Sequence, residues 1–456
     1  MSKSALVLVG HGSHISPRTA GLVWRHVDTL REMGAAGEVT AAFVKEMPSL
    51  HWVLETLSAH DIAVVPLFTA QGYFTQTVIP SEMGLTGGMT RRDGRTIRYT
   101  PTLSEHPHLS EIVARRVREA LRQSGAEPGQ TAVALIGHGT RRNPESRAAA
   151  EAQAQTLRRK ALVAEVVAVY LDDSPEVGEV YRLTSAPNLV AVPYFLALGS
   201  HTSEDVPKAL SLPVLERLEQ VKGAKVQGRM VYYTPPVGIE EDLVQAVLAL
   251  AREAGAALVQ SVPAPAGPAS GSRWTCFPAQ GRDELIAAVH EAGSLPFGQL
   301  LLTPTDVCPM SREKDAGEAQ EITDPGVLRA RVRENPFRPL ATSTDLPSGW
   351  RVGVTEPEML HAVVETVYPG AVADWAACRR GEFSASTLSD TVNRQTGMYR
   401  ELLGLPLEAQ RGAVEHICGS CVRHATWFYG RTNPARIPCG EPCNWWLSLT
   451  LDRVRA

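Results

Sequence analysis

The chain has no excess of basic residues: 45 Lys and Arg stand against 49 Asp and Glu, a net charge of −4 over 456 residues. Nucleic-acid binding needs a concentrated positive face, so no nucleic-acid partner is expected. There is no run of eighteen apolar residues, which excludes a membrane-spanning helix. The chain opens directly on a strand-like segment with no apolar signal region, so a cytoplasmic protein is the expectation. Cysteine is scarce, with seven in all, and disulfides are rare in that compartment. This length accommodates three or four domains, each with its own core.

What is present is one phrase used twice. Gly10-His11-Gly12-Ser13 returns as Gly137-His138-Gly139-Thr140, 127 positions later, each time directly after an apolar run. The offset persists downstream: Phe43 maps onto Tyr170, Pro66 onto Pro193, Gly72 onto Gly199 and Pro80 onto Pro207. A register held over some seventy residues implies two copies of one structural unit. Each copy alternates short β-rich runs with amphipathic stretches, which predicts a parallel sheet with crossover helices. Copy one reads as strands over 6–9, 39–43, 62–67 and 96–100, with helices over 17–33, 50–58 and 111–123. The closing phrases Tyr99-Thr100-Pro101 and Tyr233-Thr234-Pro235 are offset by 134. Copy two therefore carries about seven extra residues between Pro207 and Met230, in a loop or a helix extension.

In open α/β sheets ligands bind at the carboxyl ends of the strands, where His11 and His138 fall. There the copies diverge. Copy two has Gly199-Ser200-His201-Thr202-Ser203-Glu204-Asp205, whereas copy one has Gly72-Tyr73-Phe74-Thr75-Gln76-Thr77-Val78. Two imidazoles beside carboxylates can hold a divalent ion with coordination positions left open. The pair His138 and His201, with Asp173 at a predicted strand end, is the candidate metal site; copy one keeps only His11. Phe74 is either core or an aromatic wall against a ligand.

These motifs resemble the sirohydrochlorin cobaltochelatase family of CbiX type, over roughly residues 1 to 255. The second one, Pro-x-Phe-x-x-x-Gly-x-His-x-x-x-Asp-x-Pro, is matched in full from Pro193 to Pro207. The resemblance implies two tandem chelatase-like doubly wound domains, 1–127 and 128–256, facing each other across a tetrapyrrole cleft. It implies that His138 and His201 ligate the metal, and that the acidic position after the second strand is Glu46 in copy one and Asp172 or Asp173 in copy two. It also implies a reaction: transient Co(II) or Fe(II) passes into the macrocycle, two pyrrole N–H protons are lost, and a His or carboxylate accepts them. Sirohydrochlorin bears eight carboxylates, so Arg141 and Arg142, and Arg147 beyond them, are candidate ligand contacts.

Residues 255 to 272, rich in Ala, Pro, Gly and Ser, read as a linker. A small α+β packing domain is expected over 273–345, with a helix at 283–292 and a strand at 299–303. The last segment, 346–456, carries Cys418-x2-Cys421 and Cys439-x3-Cys443. Four thiolates on two tight turns make a metal or cluster site; the spacing leaves zinc and iron–sulfur open. Two chelatase-like repeats, an added small domain and a four-cysteine tail resemble multidomain chelatase-like proteins, and that resemblance implies a mainly helical domain with a [4Fe-4S] cluster, structural or redox in role. Cys276, Cys308 and Cys378 read as ordinary thiols, and the other histidines, His26 among them, as structural or solvent-facing. The expected function is insertion of Co(II) into sirohydrochlorin on a cobalamin route. The alternatives are a siroheme ferrochelatase and a non-catalytic metal or tetrapyrrole carrier or redox sensor. A homo-oligomer is left open.

Overall fold

Two unbroken apolar runs, Ser4–Gly10 (β1) and Thr131–Gly137 (β6), are buried along their whole length in the computed structural model. A strand with no polar face must be covered on both sides, so each forms the centre of a parallel sheet. The structure describes residues 4–12, 17–44, 48, 50, 53–104, 106–140, 144–215, 218 and 220–258, and, further on, 281–293, 295–297, 300–304, 321–322, 350–354, 363–365, 371–380, 386–387, 402, 404–413 and 436–437.

Repeat 1 continues with α1 (Pro17–Glu32), β2 (Glu38–Phe43), β3 (Asp61–Pro66), α2 (Ile79–Met83), β4 (Met89–Arg92), β5 (Arg95–Tyr99) and α3 (Pro107–Ser124). Repeat 2 follows the same order with one short helix more, α5: α4 (Pro144–Lys160), β7 (Glu165–Tyr170), α5 (Val180–Leu183), β8 (Asn188–Pro193), α6 (Val206–Ala209), β9 (Lys222–Val226), β10 (Arg229–Tyr233) and α7 (Leu243–Glu253). The strand orders are β2-β1-β3-β5-β4 and β7-β6-β8-β10-β9. All neighbours are parallel except the edge strands β4 and β9, which pair antiparallel to β5 and β10. Both edge hairpins turn on two residues of positive φ, Asp93-Gly94 and Gln227-Gly228, the backbone of a type I′ turn.

One detail differs from the sequence reading. Within the stretch expected as a helix over 50–58, the described residues hold a single 3-10 turn, Val53–Thr56; Val53 and Leu54 of the turn and Leu57 after it cap one sheet face. The extra residues of repeat 2 fall between α6 and β9, inside the expected span, and the described residues there form no further helix or strand.

Successive residues of each central strand point to opposite faces. Leu6 and Leu8 join an inner cluster, Ala5, Val7 and Val9 an outer one. The inner cluster runs from one sheet to the other through α1, α3, α4 and α7, so a single helical layer serves both sheets. α1 packs on α7, and α3 on α4 and α7. At the outer edge Asp61 pairs with Arg98 and accepts the Ala257 N–H at 2.7 Å, which ties the chain leaving repeat 2 to the sheet of repeat 1.

Beyond the linker, α8 (Arg282–Ala292) accompanies a four-stranded sheet of order β11-β12-β14-β13, built from Leu295–Phe297, Leu300–Pro304, Trp350–Val354 and Glu321–Ile322. The expected boundary at 345/346 falls inside this sheet, because Trp350–Val354 pairs in parallel with Leu300–Pro304. The helix Ala371–Arg380 packs on α8, with Gly281 seated against Ala376 and Val372. The helix Leu407–Ala413 and a two-stranded pair, Ser386–Thr387 with Arg436–Ile437, follow. Cys418, Cys421, Cys439 and Cys443 lie outside the described residues, as do Cys276 and Cys308.

Candidate metal centre

β1 is flanked by β2 on one side and β3 on the other, the point at which a doubly wound sheet opens a crevice at its carboxyl edge. β6, between β7 and β8, repeats this. His138 follows β6 directly, and its carbonyl accepts the N–H groups of Leu171 and Asp172, both at 3.0 Å, which fixes the loop against the end of β7. Gly139 stands at φ 65°, where a Cβ would come within 2.7 Å of Tyr170 Cβ and 2.9 Å of Asp173 Cβ. Only glycine allows that turn.

His201 opens a π-helical turn, His201–Asp205, that runs into α6. π turns put an extra residue into the helical ladder and recur at functional sites. Gly199 is its hub: the Gly199 N–H donates to Thr202 Oγ1 at 3.2 Å, and the Gly199 carbonyl accepts from Thr202 Oγ1 at 2.9 Å and Ser203 Oγ at 3.1 Å. From below, the Tyr233 hydroxyl donates to the Thr202 carbonyl at 2.8 Å. Burial pushes that phenol well above its ordinary range, so it remains a donor.

The two imidazoles meet edge to face, with ring centres 5.1 Å apart and planes at 87°. Each has its Nδ1 engaged: His138 donates to the Gly139 carbonyl at 2.8 Å, and His201 to Asp205 Oδ2 at 2.7 Å. These bonds select the tautomer in which Nε2 carries the lone pair. Side-chain exposures of 43% and 50% leave the pair open to solvent on one side. Two ligating nitrogens, oriented by outer partners and accessible, can take an ion from solution and pass it on.

The carboxylates divide. Asp172 Oδ2 lies 3.5 Å from His138 Nδ1. Asp173 Oδ1 accepts the Ser174 N–H at 2.8 Å and so holds the turn beneath Gly139. Asp205 carries the orienting bond to His201, a role the one-turn spacing His201 to Asp205 signals. Arg147 stacks over Tyr170, 5.6 Å from the ring centre. Arg141, Arg142 and Glu46 lie outside the described residues.

Repeat 1 reproduces the frame with one imidazole in place of two. His11 donates from Nδ1 to the Gly12 carbonyl at 3.0 Å, and Phe74 opens the π turn Phe74–Val78. His11 and Phe74 also sit 5.1 Å apart, at 89°. Thr75 and Tyr99 repeat the bonds of Thr202 and Tyr233. Phe74 is therefore half-buried in the place of His201, with the exposed Tyr73 ring 5.9 Å from it, and Val78 stands where Asp205 does.

A doubled parallel-sheet lobe with one oriented histidine pair at its open end is an arrangement that can accept a divalent ion and release it. The chain belongs to the CbiX family, whose model matches residues 5–120 and again 132–254. Residues 283–379 match a DR2241 stabilising domain and residues 380–450 a 4Fe-4S iron-sulfur cluster binding domain. The probable sirohydrochlorin cobaltochelatase of Halobacterium salinarum is 36% identical over 279 residues, 57% of this chain and 94% of that protein. A sirohydrochlorin cobaltochelatase of Methanopyrus kandleri is 30% identical over 139 residues, 26% of this chain and 96% of its own. The crystal structure of DR2241 from Deinococcus radiodurans, a multi-domain protein with structural similarity to chelatases and two additional domains, superposes over 100% of both chains with a TM-score of 0.66 and 25% identity. No helix among the described residues is long and apolar enough to cross a membrane.

Proposed function

We propose that the protein inserts Co(II) into sirohydrochlorin, with His138 and His201 as the ligands of the incoming ion. The observation that carries this is the oriented pair: both Nδ1 atoms are occupied, which leaves both Nε2 atoms as donors. A separation of 5.1 Å between ring centres suits two imidazoles that share one ion at about 2.0–2.1 Å per nitrogen, with an open, roughly tetrahedral angle. The likeness to the two cobaltochelatases favours cobalt over iron.

Free-base macrocycle and Co(II) give the cobalt complex and two protons. Histidine ligation without thiolates holds the ion loosely enough for the ring nitrogens to displace it. Asp172 beside His138, Asp173, His11 and Glu46 are the candidate acceptors for the pyrrole protons. Phe74, in the repeat that lacks the second histidine, offers an aromatic wall to the macrocycle, and Arg141 and Arg142, directly after the Gly-His-Gly-Thr loop, supply cations for its carboxylates.

Cys418, Cys421, Cys439 and Cys443 all lie in the segment that matches the cluster-binding domain, and four thiolates are the donor set a [4Fe-4S] cluster takes. We assign it a structural role, since cluster binding contributes folding energy to a small domain. Unchanged turnover by a folded Cys418→Ser/Cys421→Ser protein supports that role; lost turnover in such a protein removes it.

The deciding experiment is an anaerobic absorbance time course of sirohydrochlorin with excess Co(II), for the intact protein and His201→Ala. A catalysed shift to the cobalt product, lost in the variant, is expected. No rate above the protein-free control, with Co(II) and then Fe(II), would turn the reading to a carrier.

A further inference from the structure

The loop that carries His201 is held from the other repeat. Along α1, Thr19, Leu22, Arg25 and His26 share one face by their spacing. Thr19 Oγ1 donates to the Leu198 carbonyl at 2.8 Å. Leu22 is fully buried in the outer cluster of repeat 2 beside Leu198, with Ile239 packed against it. Arg25 Nη2 donates to the Ile239 carbonyl at 2.6 Å, and His26 Nε2 to the Gly238 carbonyl at 2.9 Å. Gly238 in turn lies on the ligand loop: a Cβ there would come 2.6 Å from Leu196 Cα, and its N–H donates to the Phe195 carbonyl at 2.9 Å.

The decisive contact is that of Thr19. Leu198 C=O and Gly199 N–H belong to one peptide group, and that group is bonded at both ends: Thr19 on the carbonyl, Thr202 Oγ1 on the N–H. Thr202 is the residue after His201. A hydroxyl of repeat 1 is thus two hydrogen bonds from the ligand of repeat 2.

A related contact runs the other way. Gln153 of α4, 127 positions after His26, donates from Nε2 to the Ser104 carbonyl at 3.0 Å, and Ser104 stands 134 positions before Gly238. Each first helix thus reaches the loop after the fifth strand of the opposite repeat. Only the arm from α1 ends on a loop with a candidate ligand, because Phe74 opens the π turn of repeat 1.

We propose that Thr19, with Arg25 and His26 behind it, is a positioning residue for His201, so that repeat 1 sets the metal affinity of repeat 2 without contributing a ligand through this arm. The proposal rests on the reading that His138 and His201 hold the ion. It is tested on the full-length protein by Co(II) titration without tetrapyrrole, following the dissociation constant and the Co(II) d–d difference spectrum. Binding lost in His201→Ala identifies the site. Thr19→Val, close in shape but without the donor, is expected to weaken Co(II) about threefold to tenfold, the worth of one net hydrogen bond, and to shift the d–d band. Thr19→Ser, which keeps the hydroxyl, restores both. In turnover Thr19→Val raises the KM for Co(II) and leaves that for sirohydrochlorin.

Arg115→Ala breaks a different contact between the repeats, the bonds to Glu240 and Asp242, and leaves Co(II) affinity unchanged. A folded Thr19→Val protein with wild-type affinity and spectrum overturns the proposal, as does an equal loss in Arg115→Ala. If Co(II) binding survives His201→Ala, the ion is held elsewhere and the proposal falls with the reading beneath it. Should valine unfold the helix, Thr19→Ala gives the same comparison.

Discussion

Glu38 in repeat 1 and Glu165 in repeat 2 make the same bonds at the amino ends of their sheets. Each carboxylate accepts the backbone N–H and hydroxyl of a serine twenty residues on, Ser58 or Ser185. At the carboxyl ends the repeats share a frame and differ in what it carries: His138 faces His201 in one and His11 faces Phe74 in the other, at the same 5.1 Å. The π turn, its threonine and its tyrosine therefore belong to the fold, whereas the ligand and the carboxylate behind it are separable additions. A lobe can hold this frame with the second imidazole or without it.

The sharpest break in this comparison is His201→Ala, which gives repeat 2 the ligand count of repeat 1. Removal of one of the two imidazoles is expected to lower metallation by more than the roughly tenfold to hundredfold typical of an outer-shell partner; the absorbance time course reads it. The reverse graft, Phe74→His with Val78→Asp, rebuilds the pair in repeat 1. A second bound Co(II) per chain is expected by titration calorimetry, abolished again by His11→Ala.

His26 separates the repeats by pH. Burial, helped by the neighbouring Arg25 and opposed by the Gly238 carbonyl and Asp242, lowers its pKa from 6.5 to about 4. The unfolded chain then takes up a proton that the folded chain refuses, so stability is full above about pH 6.5 and falls as the pH drops towards 4. The whole effect is about 3 kcal/mol. Gln153, its counterpart, does not titrate. His26→Gln should flatten the pH dependence of denaturant unfolding in that window, and an unchanged slope would remove His26 as its source.

Asp205→Asn leaves a partner for His201 and takes away its charge. Co(II) affinity should fall about tenfold to a hundredfold with the fold intact by circular dichroism. The smallest effect is expected at Arg115, whose guanidinium is 45% exposed. Arg115→Ala should cost less than about 1 kcal/mol, and less still at high salt.

Much of this was legible in the chain. The 127-residue offset located both sheets, since a central parallel strand is an unbroken apolar run, and it located the divergence of Phe74 from His201. The edge strands β4 and β9 were not recognised, although Asp93-Gly94 is a strong hairpin signal; their residues, such as Met89, Arg91 and Lys225, lack the apolar alternation of a half-buried strand. Asp205 was noted as a difference between the copies, and its one-turn spacing from His201 signals their bond, but the π turn that carries both has no mark in the sequence periodicity. The role of His26 was invisible for another reason. Its partner is a backbone carbonyl 212 residues away, and a carbonyl has no sequence signature. The boundary near 345 was misplaced because Trp350–Val354 completes a sheet begun fifty residues earlier.

The helical layer of α1, α3, α4 and α7 has a consequence for how the molecule comes apart. Neither sheet owns its inner covering: each depends on helices from the other repeat, and Asp61 fastens the end of α7 to the far sheet. The pair should melt as one cooperative unit, and neither half should survive excision. Repeat 1 can thus vary at the mouth of its sheet, as Phe74 does, yet it cannot be deleted.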